Sequence, residues 1–391
     1  MKKKIVYLME YPLDLPGGGQ MSTQTLCEGL LPTDYEALVI CPKLLTHSPL
    51  EMPYRVLEYS SFKNREDNIV LRVLNFLKRI NDFYRLIKRE KPDLIHVSMS
   101  ESLISFGFIC KRAAIRNIPF IYTDRGLCYG YRSHSKYFMK KTLSRASAMI
   151  CTTAFNKSLW DKEGLPVNIR VIPNTISNSF SDYEEGKRDM MRKGYGLKED
   201  DFIIGFAGRI SEEKDWDLVP VLVKSLKDAG ISFKVALVIS VYEKKDLQIV
   251  ESIKKGIADS IGEENLLYLQ DLSQKEMADY YYIPDVFVMS SSFESFGKAA
   301  VEAMSRKCAV VSTSVGGLKE VIGKEENLYS KDDLTKFTER IKRLSSDKEE
   351  LDRDKEFFYK RYRENYVLDV HIKRHLSLYD EVLKNDTDKQ T

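Results

Sequence analysis

The chain has 391 residues, which is long for a single hydrophobic core, so two domains are expected. Apolar residues make up 43% of the sequence and charged residues 30%, a composition typical of soluble globular proteins. No run of 18 apolar residues occurs, which excludes a transmembrane helix, and the apolar run after MKKK is too short for the core of a signal peptide.

Short apolar runs alternate with helical patterns along the chain. In the first half the runs are KIVYLM, EALVIC, YRVLEY, DLIHVSM, PFIYTD, SAMICTT and RVIPN. In the second half they are FIIGFAG, FKVALVIS, NLLYLQ, DVFVMSS and CAVVSTS. Gly, Pro, Asn, Asp or a charged helix bounds each run, which is typical of buried strands. The alternation predicts an α/β fold with two parallel sheets, each covered by helices on both faces.

The polar stretch NSFSDYEEGKRD (178–189) has no strand pattern and predicts the boundary between the domains. We therefore expect a first domain over residues 1–180 and a second over 190–356. The tail beyond the second domain is helical by its spacing and too long for an end cap. We expect its helix, at about 357–385, to pack back on the first domain.

One helix, predicted over 69–91, is both apolar and strongly basic. At about 100° per residue, one face gathers Val70, Val73, Leu77, Ile80, Tyr84 and Ile87. The opposite face carries Arg72, Lys78, Arg79, Arg85 and Arg89. This pattern fits a crossover helix that covers the sheet and leaves its charged back in water. It also fits a basic surface that rests on anionic lipid, and both hold if the polar face alone touches the headgroups.

Charge is distributed unevenly along the chain. Residues 1–175 hold 26 Lys+Arg against 16 Asp+Glu, a net of +10, and the remaining residues hold 35 against 42, a net of −7. A basic first half predicts an anionic partner, which by charge alone is nucleic acid, a phospholipid surface or a phosphorylated substrate.

The cysteines and histidines show no metal-binding spacing. The six cysteines form no CxxC pair and lie mostly in apolar runs, so we expect reduced core thiols in a cytoplasmic protein. His371 and His375 are four residues apart, but no third ligand lies nearby. A solvated helix face is the expectation for this pair, and no metal site is predicted.

A glycine-rich stretch, LPGGGQMSTQTL (15–26), comes directly after the first predicted strand. Consecutive glycines allow backbone N–H groups to turn toward an anion. A dinucleotide-binding fingerprint would need glycine at Ser22, and a P-loop would need Gly-Lys-Ser/Thr. A phosphate cradle and a merely tight turn are both compatible with the stretch.

A pair of cations comes after the first strand of the second half, in GFAGRISEEKDWDLV (205–219). Arg209 lies at the exit of the strand and Lys214 lies just before a helical pattern. Two cations over a strand-to-helix connection suit a diphosphate. The alternative is an exposed loop of ordinary charges, which include Glu212 and Glu213.

Two glutamates flank a strand-to-helix turn in SFESFGKAAVEAM (292–304). If Ser295 caps the helix, Glu294 lies just outside its N-terminus and Glu302 lies two turns inside. The N–H groups of Phe296, Gly297 and Lys298 then face an anion, and the glycine permits a close approach to the backbone. Carboxylates accept hydrogen bonds from vicinal hydroxyls. Hydroxyls at both ends of a diphosphate describe a nucleotide sugar.

These segments resemble glycosyltransferase family 4, whose members have the GT-B fold. SFESFGKAAVEAM resembles its E-x7-E motif, AGRISEEKD its G-R-x4-K segment, VIPNTIS its V-P-N-G linker and STSVGGLKEVI its T-x2-G-G-x2-E stretch. The resemblance is strong over residues 165–325 and thinner before them. It implies two Rossmann-like, doubly wound domains that face each other across a cleft, with the acceptor bound by the first and the donor by the second.

The resemblance also implies roles for matching residues. The catalytic residues are Arg209, Lys214 and Glu294. The diphosphate is bound by Arg209, Lys214, Gly18 and Gly19. The sugar and its phosphate are bound by Glu294, Phe296, Gly297 and Lys298. The ribose is bound by Glu302.

The implied activity is that of a retaining hexosyltransferase that uses a nucleotide sugar, for example a UDP-sugar, without a metal or another cofactor. The leaving phosphate takes the acceptor proton. The expected partners are the nucleotide-sugar donor, a glycan, lipid-linked or other hydroxyl acceptor, and an anionic membrane surface at helix 69–91. No nucleic acid partner is expected. Family habit and the basic first half favour synthesis of a surface polysaccharide or glycolipid, by a cytoplasmic enzyme peripheral to the inner face of the membrane.

Three features depart from the family pattern. ESFG stands in place of the commoner E-G-F-G, so Ser295 alters the sugar pocket. LVISVYEKK lacks the usual Gly-x-Gly-Pro after its strand, which leaves recognition of the base open. YTDRG places Arg125 where many relatives have His, on the acceptor side. Arg125 suits an anionic acceptor or a substituted donor, or it pairs with Asp124.

Other functions fit the sequence less well. A catalytically idle GT-B subunit that binds a glycan or a partner glycosyltransferase predicts an eroded donor site, yet the cations and both glutamates are present. An epimerase or phosphorylase shares the architecture, but no plausible pyridoxal lysine is apparent. An NAD-dependent dehydrogenase lacks the third glycine of its fingerprint.

Overall fold

The computed structural model describes residues 2–15, 17–60, 68–180, 182–241 and 243–390. Of residues 387–390 it describes the backbone only. The chain divides into two compact units. The first unit comprises Met1–Thr175 and Leu368–Thr391, and the second comprises Ile176–Val367. The first unit is therefore assembled from two stretches that are distant in sequence.

The strands form one parallel sheet in each unit. In the first they are β1 (Lys3–Leu8), β2 (Tyr35–Pro42), β3 (Arg55–Tyr59), β4 (Leu94–Val97), β5 (Phe120–Asp124), β6 (Ala148–Cys151) and β7 (Ile169–Val171). In the second they are β8 (Ile203–Arg209), β9 (Lys234–Ser240), β10 (Leu266–Gln270), β11 (Val286–Met289), β12 (Ala309–Thr313) and β13 (Leu328–Tyr329). Over the described residues the spatial orders are β3-β2-β1-β4-β5-β6-β7 and β10-β9-β8-β11-β12-β13.

Helices connect the strands. The first unit contains α1 (Gly18–Leu30), α2 (Ile69–Glu90), α3 (Ser100–Gly107), α4 (Ser133–Leu143) and α5 (Ala154–Asp161). The second contains α6 (Lys187–Gly194), α7 (Leu218–Asp228), α8 (Asp246–Ile261), α9 (Gln274–Tyr280), α10 (Lys298–Ser305), α11 (Leu318–Ile322), α12 (Thr335–Ser346) and α13 (Lys348–Asn365). The chain returns to the first unit with α14 (Leu368–Gln390).

Both faces of each sheet are buried, as continuous apolar strands require. In β1, Val6 and Leu8 belong to one apolar cluster, while Ile5 and Tyr7 belong to the cluster on the other face. This second cluster includes residues of α14, and the Tyr7 and Tyr379 hydroxyls lie 2.9 Å apart. The expected α/β fold with two doubly wound parallel sheets is confirmed. Every predicted strand is present, and in the part of the chain that the structure describes only the two-residue strand β13 was not predicted.

The strand orders place a crevice at the carboxyl edge of each sheet. The order reverses between β1 and β4 in the first unit and between β8 and β11 in the second. At such a point the connections leave toward opposite faces of the sheet, so ligands of doubly wound domains bind beside these strand ends. The switch points therefore indicate where each unit binds its ligand.

The C-terminal segment is divided where one helix was expected at about 357–385. Residues up to Asn365 lie in α13, and α13 packs in the second unit, where Phe358 and Tyr362 join the apolar core. α14 begins at Leu368 and packs in the first unit. The units meet in sequence between Thr175 and Ile176, within a few residues of the expected seam, in which Ser181 lies outside the described residues.

The expected solvated face of His371 and His375 is wrong. Both imidazoles are buried in the first unit. His371 Nδ1 donates to Pro173 O at 2.7 Å, and His375 Nδ1 donates to His371 O at 3.0 Å. One nitrogen of each ring thus bonds to a backbone carbonyl inside the unit, so the spacing of the two histidines reflects packing of α14.

The predicted faces of α2 need correction as well. Val70, Val73 and Leu77 were assigned to the buried face, but they are 61%, 50% and 55% exposed. Arg79 was assigned to the solvated face, but it is buried and donates to Ser105 Oγ at 2.9 Å. The spacing correctly predicted a helix. It could not show that the Ser105 hydroxyl would accept a hydrogen bond from the Arg79 guanidinium inside the unit.

Candidate active site

The carboxyl ends of β8 and β11 bring together the polar residues predicted in the second unit. β8 ends at Arg209, and a short 3₁₀ turn, Glu212–Lys214, comes after it. Ser290 Oγ, just after β11, donates to Lys214 O at 2.7 Å. Ser292 N donates to Glu213 O at 2.9 Å. These bonds fix the two strand-exit loops against each other at the switch point.

Lys214 and Glu294 form an ion pair across this junction. Their Nζ and Oε2 atoms are 2.8 Å apart, and the side chains are only 19% and 18% exposed. The stem of Lys214 runs past Gly208, where a Cβ would lie 3.6 Å from Lys214 Cε. The stem of the lysine therefore packs along the backbone of β8 at Gly208.

The loop that carries Glu294 is held by two glycines after β12. Gly317 N donates to Glu294 O at 2.9 Å. Gly316 has φ +50°, and a Cβ there would clash with Glu294 O. Only glycine permits this approach. The sequence flagged STSVGGLKEVI as a motif without a role, and the structure shows that it positions Glu294.

The helix after this loop begins later than expected. Gly297, with φ +93°, is the N-cap of α10, so the expectation that Ser295 caps the helix is wrong. A Cβ on Gly297 would clash with Leu318 Cδ2. The Phe296 side chain is buried and packs edge-on against Tyr366, with ring centroids 5.7 Å apart. Phe296 therefore anchors the turn in the core, which leaves its backbone as the group available to a ligand.

Glu302 lies on α10, eight residues after Glu294. Its Oε2 accepts a hydrogen bond from the Tyr281 hydroxyl at 3.1 Å. Burial raises the pKa of Glu302, while the charges of Lys298 and Lys214 and the Tyr281 hydroxyl act to lower it. Lys214 thus acts electrostatically on Glu302 while it is paired with Glu294.

Arg209 is engaged differently from Lys214. Its Nη2 lies 2.5 Å from Glu213 Oε1, and its side chain is 56% exposed. Burial raises the pKa of Glu213, but hydrogen bonds, including the one from Arg209, leave this pKa below its ordinary value. The guanidinium is therefore partly neutralised at an open surface. Its pairing with Glu213 was missed in the sequence, because a four-residue spacing indicates an ion pair only on a helix, whereas Arg209 ends a strand and Glu213 lies in a 3₁₀ turn.

In the first unit, the glycine stretch and Arg125 lie side by side. α1 begins at Gly18, so Gly18 and Gly19 form the first turn of a helix. A Cβ on Gly19 would lie 2.8 Å from Met99 Cε and 3.6 Å from Arg125 Cδ, whereas the position at Gly18 opens to free space. Pro16 in this stretch and Tyr242 in LVISVYEKK lie outside the described residues.

Arg125 and Asp124 have distinct hydrogen-bond partners. Arg125 Nη1 donates to Asn174 Oδ1 at 3.0 Å, and burial lowers the pKa of Arg125 to about 10, so it remains a cation at neutral pH. Asp124 accepts from Trp160 Nε1 at 2.6 Å and from the Tyr131 hydroxyl. These partners hold Asp124 within the unit, while Arg125 places a positive charge beside Gly19.

Glu10 is a further group at this edge that sequence reasoning missed. It lies just after β1, is 5% exposed and accepts from Ser102 N at 2.5 Å, near the start of α3. Burial, together with the charge of Glu101, raises the pKa of Glu10 to about 7. The only sequence signal was its position directly after the first strand.

Two family models match the chain. The model described as Glycosyltransferase Family 4 matches residues 16–180. The model described as Glycosyl transferases group 1 matches residues 187–361. Together they take in most of the sequence.

Curated relatives agree with these matches. A glycosyltransferase of Methanocaldococcus jannaschii that is described as uncharacterized is 26% identical over 321 residues, which cover 76% of this chain and 82% of the relative. The capsular polysaccharide biosynthesis glycosyltransferase CapM of Staphylococcus aureus is 26% identical over 290 residues, which cover 69% of this chain and 72% of the relative.

Solved structures share the fold. Sucrose-phosphate synthase of Thermosynechococcus elongatus has a TM-score of 0.82 at 17% identity, with coverage of 98% of this chain and 100% of that one. Anabaena HepE in complex with UDP-glucose has a TM-score of 0.76 at 16% identity, with coverage of 98% and 99%. The chain therefore belongs to glycosyltransferase family 4, and it is a glycosyltransferase with two Rossmann-like domains of the GT-B type.

Proposed function

We propose that the protein is a retaining hexosyltransferase that moves a sugar from a nucleotide-diphosphate sugar to a hydroxyl acceptor. The observation that carries the proposal is the Lys214–Glu294 pair at the β8/β11 switch point, with Glu302 within electrostatic reach of the same lysine. A nucleotide sugar has an anionic diphosphate between two hydroxyl-bearing rings. One lysine with a glutamate on either side is complementary to this order of groups. The likeness to a structure that holds UDP-glucose supports a donor of this class.

In this proposal the paired charges are set before the donor arrives. Lys214 contacts the diphosphate, Glu294 accepts hydrogen bonds from hydroxyls of the transferred sugar, and Glu302 accepts from the ribose. The Gly297 turn and the first amides of α10, near Lys298, approach the sugar and its phosphate. Because Lys214 is held by Glu294, little reorganisation is needed as negative charge develops on the leaving group.

The transfer step needs no dedicated base in this proposal. The bond between the anomeric carbon and the β-phosphate oxygen breaks, and a bond from the acceptor oxygen forms on the same face of the sugar. Because the new bond forms on the face that the leaving group departs from, configuration is retained, and the acceptor proton passes to the departing phosphate oxygen. Lys214 and Arg209 stabilise the leaving diphosphate, which makes a metal ion unnecessary.

The first unit supplies the acceptor side in this proposal. Gly18 and Gly19 are proposed to offer backbone amides to a phosphate group, and Arg125 is the acceptor-side cation. Since Arg125 keeps its charge at neutral pH, an acceptor with an anionic group is favoured. The relative CapM, a capsular polysaccharide biosynthesis glycosyltransferase, supports a role in the synthesis of a surface polysaccharide or glycolipid.

A screen of donors tests this function. The purified protein is mixed with UDP-, GDP- and ADP-glucose and a pool of acceptors, and the released nucleotide is measured. We expect release with one nucleotide and its loss in Lys214→Ala. Lys224→Ala is the matched control, because Lys224 is exposed and pairs only with Asp228 on the surface of α7 among its described contacts. Absence of release with every donor would favour the catalytically idle subunit, and equal release in the two variants would contradict the role of Lys214.

We also propose peripheral association with an anionic membrane through α2. Among the described residues, no helix has the length and apolar character needed to cross a bilayer. α2 nevertheless exposes Val70, Val73, Leu74 and Leu77 beside its basic residues, so its apolar side as well as its charges can meet the headgroup region.

Sedimentation with vesicles tests the membrane proposal. We expect binding to phosphatidylglycerol vesicles at low salt, a decrease with added salt, and weaker binding to phosphatidylcholine. Leu74→Ser/Leu77→Ser should reduce the bound fraction. The exposed Val221→Ser on α7 is the control. Equal binding of the two variants would contradict the role of α2.

A further inference from the structure

The carboxylate of Glu302 is contacted by a buried tyrosine of the second unit. The Tyr281 hydroxyl lies 3.1 Å from Glu302 Oε2, and it is the one hydrogen-bond donor to this carboxylate in the part of the chain that the structure describes. The two residues are 21 positions apart, so the fold brings them together. Tyr281 is fully buried, whereas Glu302 retains exposed surface. A ligand can therefore reach the glutamate and not the tyrosine.

The ring of Tyr281 is held on several sides. It comes directly after α9, and its centroid lies 5.2 Å from that of Phe287 of β11, in edge-on packing, and 5.2 Å from that of Tyr280. Its backbone oxygen accepts a hydrogen bond from Cys308 Sγ at 3.0 Å. A large ring packed in this way has few rotamers open to it. The hydroxyl therefore meets Glu302 at a fixed position.

The direction of the hydrogen bond follows from the surroundings of both groups. Burial, together with the charge of Glu302, raises the pKa of Tyr281 well above its ordinary value, so the phenol keeps its proton and donates. Burial raises the pKa of Glu302, whereas the charges of Lys298 and Lys214 and the bond from Tyr281 act to lower it. The bond thus favours the ionised carboxylate. A carboxylate offers about four acceptor positions, so Tyr281 occupies one and leaves others for a ligand.

We propose that Tyr281 is a positioning residue of the donor site, whose hydroxyl holds the Glu302 carboxylate in the orientation that accepts the two ribose hydroxyls of the donor. The inference rests on the proposed function, which assigns the ribose to Glu302, and it adds the residue that makes this contact selective. A site built to bond hydroxyl groups rejects a ligand that lacks them, because its own polar groups are then left unpaired. Selectivity for ribose over 2′,3′-dideoxyribose is therefore the property that Tyr281 controls.

Calorimetric titration of the full chain with UDP, GDP and ADP, and with their 2′,3′-dideoxy forms, tests the inference. The nucleotide that the wild type binds most tightly is then used for the variants. We expect the wild type to prefer its ribose form by about 30-fold, as hydrogen bonds to a charged group allow. Tyr281→Phe should weaken binding of the ribose form by about tenfold and of the dideoxy form by less than about twofold, by analogy with the loss of a partner behind a metal ligand.

Tyr280→Phe is the matched control. It removes a buried hydroxyl from the adjacent residue, but the partners of this hydroxyl are Phe206 O and Ala236 O, at 3.1 and 2.9 Å. Its affinity and selectivity should be those of the wild type, and thermal unfolding of each variant measures any general loss of stability. A pH series gives a second readout. Because the bond from Tyr281 lowers the pKa of Glu302, the weakening of nucleotide binding on the acid side should begin at a higher pH in Tyr281→Phe.

A double-mutant cycle with Glu302→Ala separates positioning from packing. If Tyr281 acts through the carboxylate, Tyr281→Phe should change affinity by less than about twofold once the carboxylate is absent. Unchanged selectivity or an unmoved pH profile in Tyr281→Phe, an equal loss in Tyr280→Phe, or additive effects in the cycle would overturn the inference. If the wild type binds no nucleoside diphosphate, the proposed function fails and the inference fails with it. If the wild type binds and prefers ribose while Tyr281→Phe matches it, the failure concerns Tyr281 alone.

Discussion

The two units place their polar groups differently at the same kind of sheet edge. In the second, the charges sit on strand-exit loops and are paired with each other, as in Lys214–Glu294 and Arg209–Glu213. In the first, Arg125 and Glu10 are held among buried groups, and α2, α3 and α4 surround an aromatic cavity lined by Phe76, Phe108 and Phe138. The comparison teaches that one topology can provide a prearranged charge pattern or a shaped recess, depending on the loops and helices that connect its strands.

The largest effect is expected from a substitution that breaks the paired charges of the second unit. Lys214→Ala should lower turnover by about 10²–10³-fold, by analogy with the loss of one preorganised donor to a developing oxyanion. It removes the proposed contact with the diphosphate and leaves Glu294 without its described cation. Steady-state turnover with the best donor measures the effect, with Lys224→Ala for comparison. A loss below about fivefold would mean that the pair is structural.

A second prediction concerns the loop that presents Glu294. Gly316→Ala should destabilise the protein by about 2–4 kcal/mol, because a Cβ would strike Glu294 O and φ is positive. Gly186→Ala is the control, since its φ is also positive but the Cβ position is open. It should cost only the backbone strain of about 1–2 kcal/mol. Urea unfolding measures both, and equal midpoints would show that the loop gives way easily.

A third prediction concerns the first unit, in which the buried carboxyl of Glu10 should make stability depend on pH. The pKa of Glu10 is about 7 in the folded chain against 4.5 for a free group, so between these values the folded state binds more protons. Stability should therefore fall as pH rises from 4.5 to 7, by about 2–3 kcal/mol. Glu10→Gln should remove this slope.

The control for Glu10 is Glu36→Gln, which alters an exposed pair with Arg55. Urea unfolding at several pH values compares each variant with the wild type. A wild-type slope identical to that of Glu10→Gln would show that Glu10 titrates as an exposed carboxyl does.

The smallest effect is expected at Arg209. Glu213→Gln should release its guanidinium for the diphosphate and lower the donor KM by about two- to fivefold, because exposed ion pairs hold about 0.2–1 kcal/mol. Glu251→Gln, which breaks an exposed pair with Lys254, should leave KM unchanged. An increase in donor KM would mean that Glu213 orients Arg209 for binding.

The sequence was sufficient where local patterns determine the outcome. Apolar runs between turn residues predicted the strands and both sheets, because parallel strands are buried on both faces. Spacing placed Arg209, Lys214, Glu294 and Glu302 on connections that the switch point brings together. Their partners could not be read from spacing, since Lys214 and Glu294 are 80 positions apart in the chain.

The errors came from long-range contacts. Arg79 can be buried because its guanidinium donates to Ser105 Oγ and pairs with Glu101. His371 can be buried because its Nδ1 donates a hydrogen bond to Pro173 O. Neither partner can be identified from a helical period. The roles of Gly316 and Glu10 likewise depend on distant backbone atoms, which are Glu294 O and Ser102 N. The aromatic cavity is formed by three helices that are separated in sequence.

The return of α14 to the first unit has a consequence for biosynthesis. Ile372, Tyr379 and Val382 complete an apolar layer that Ile5 and Tyr7 begin. All of Ile176–Val367 leaves the ribosome before these residues do, so the second unit is translated in full while the first still lacks part of its interior. The usual N-to-C order of domain maturation is thereby reversed, and a chain that stalls late in translation would carry a finished second unit while its first unit is still unfinished.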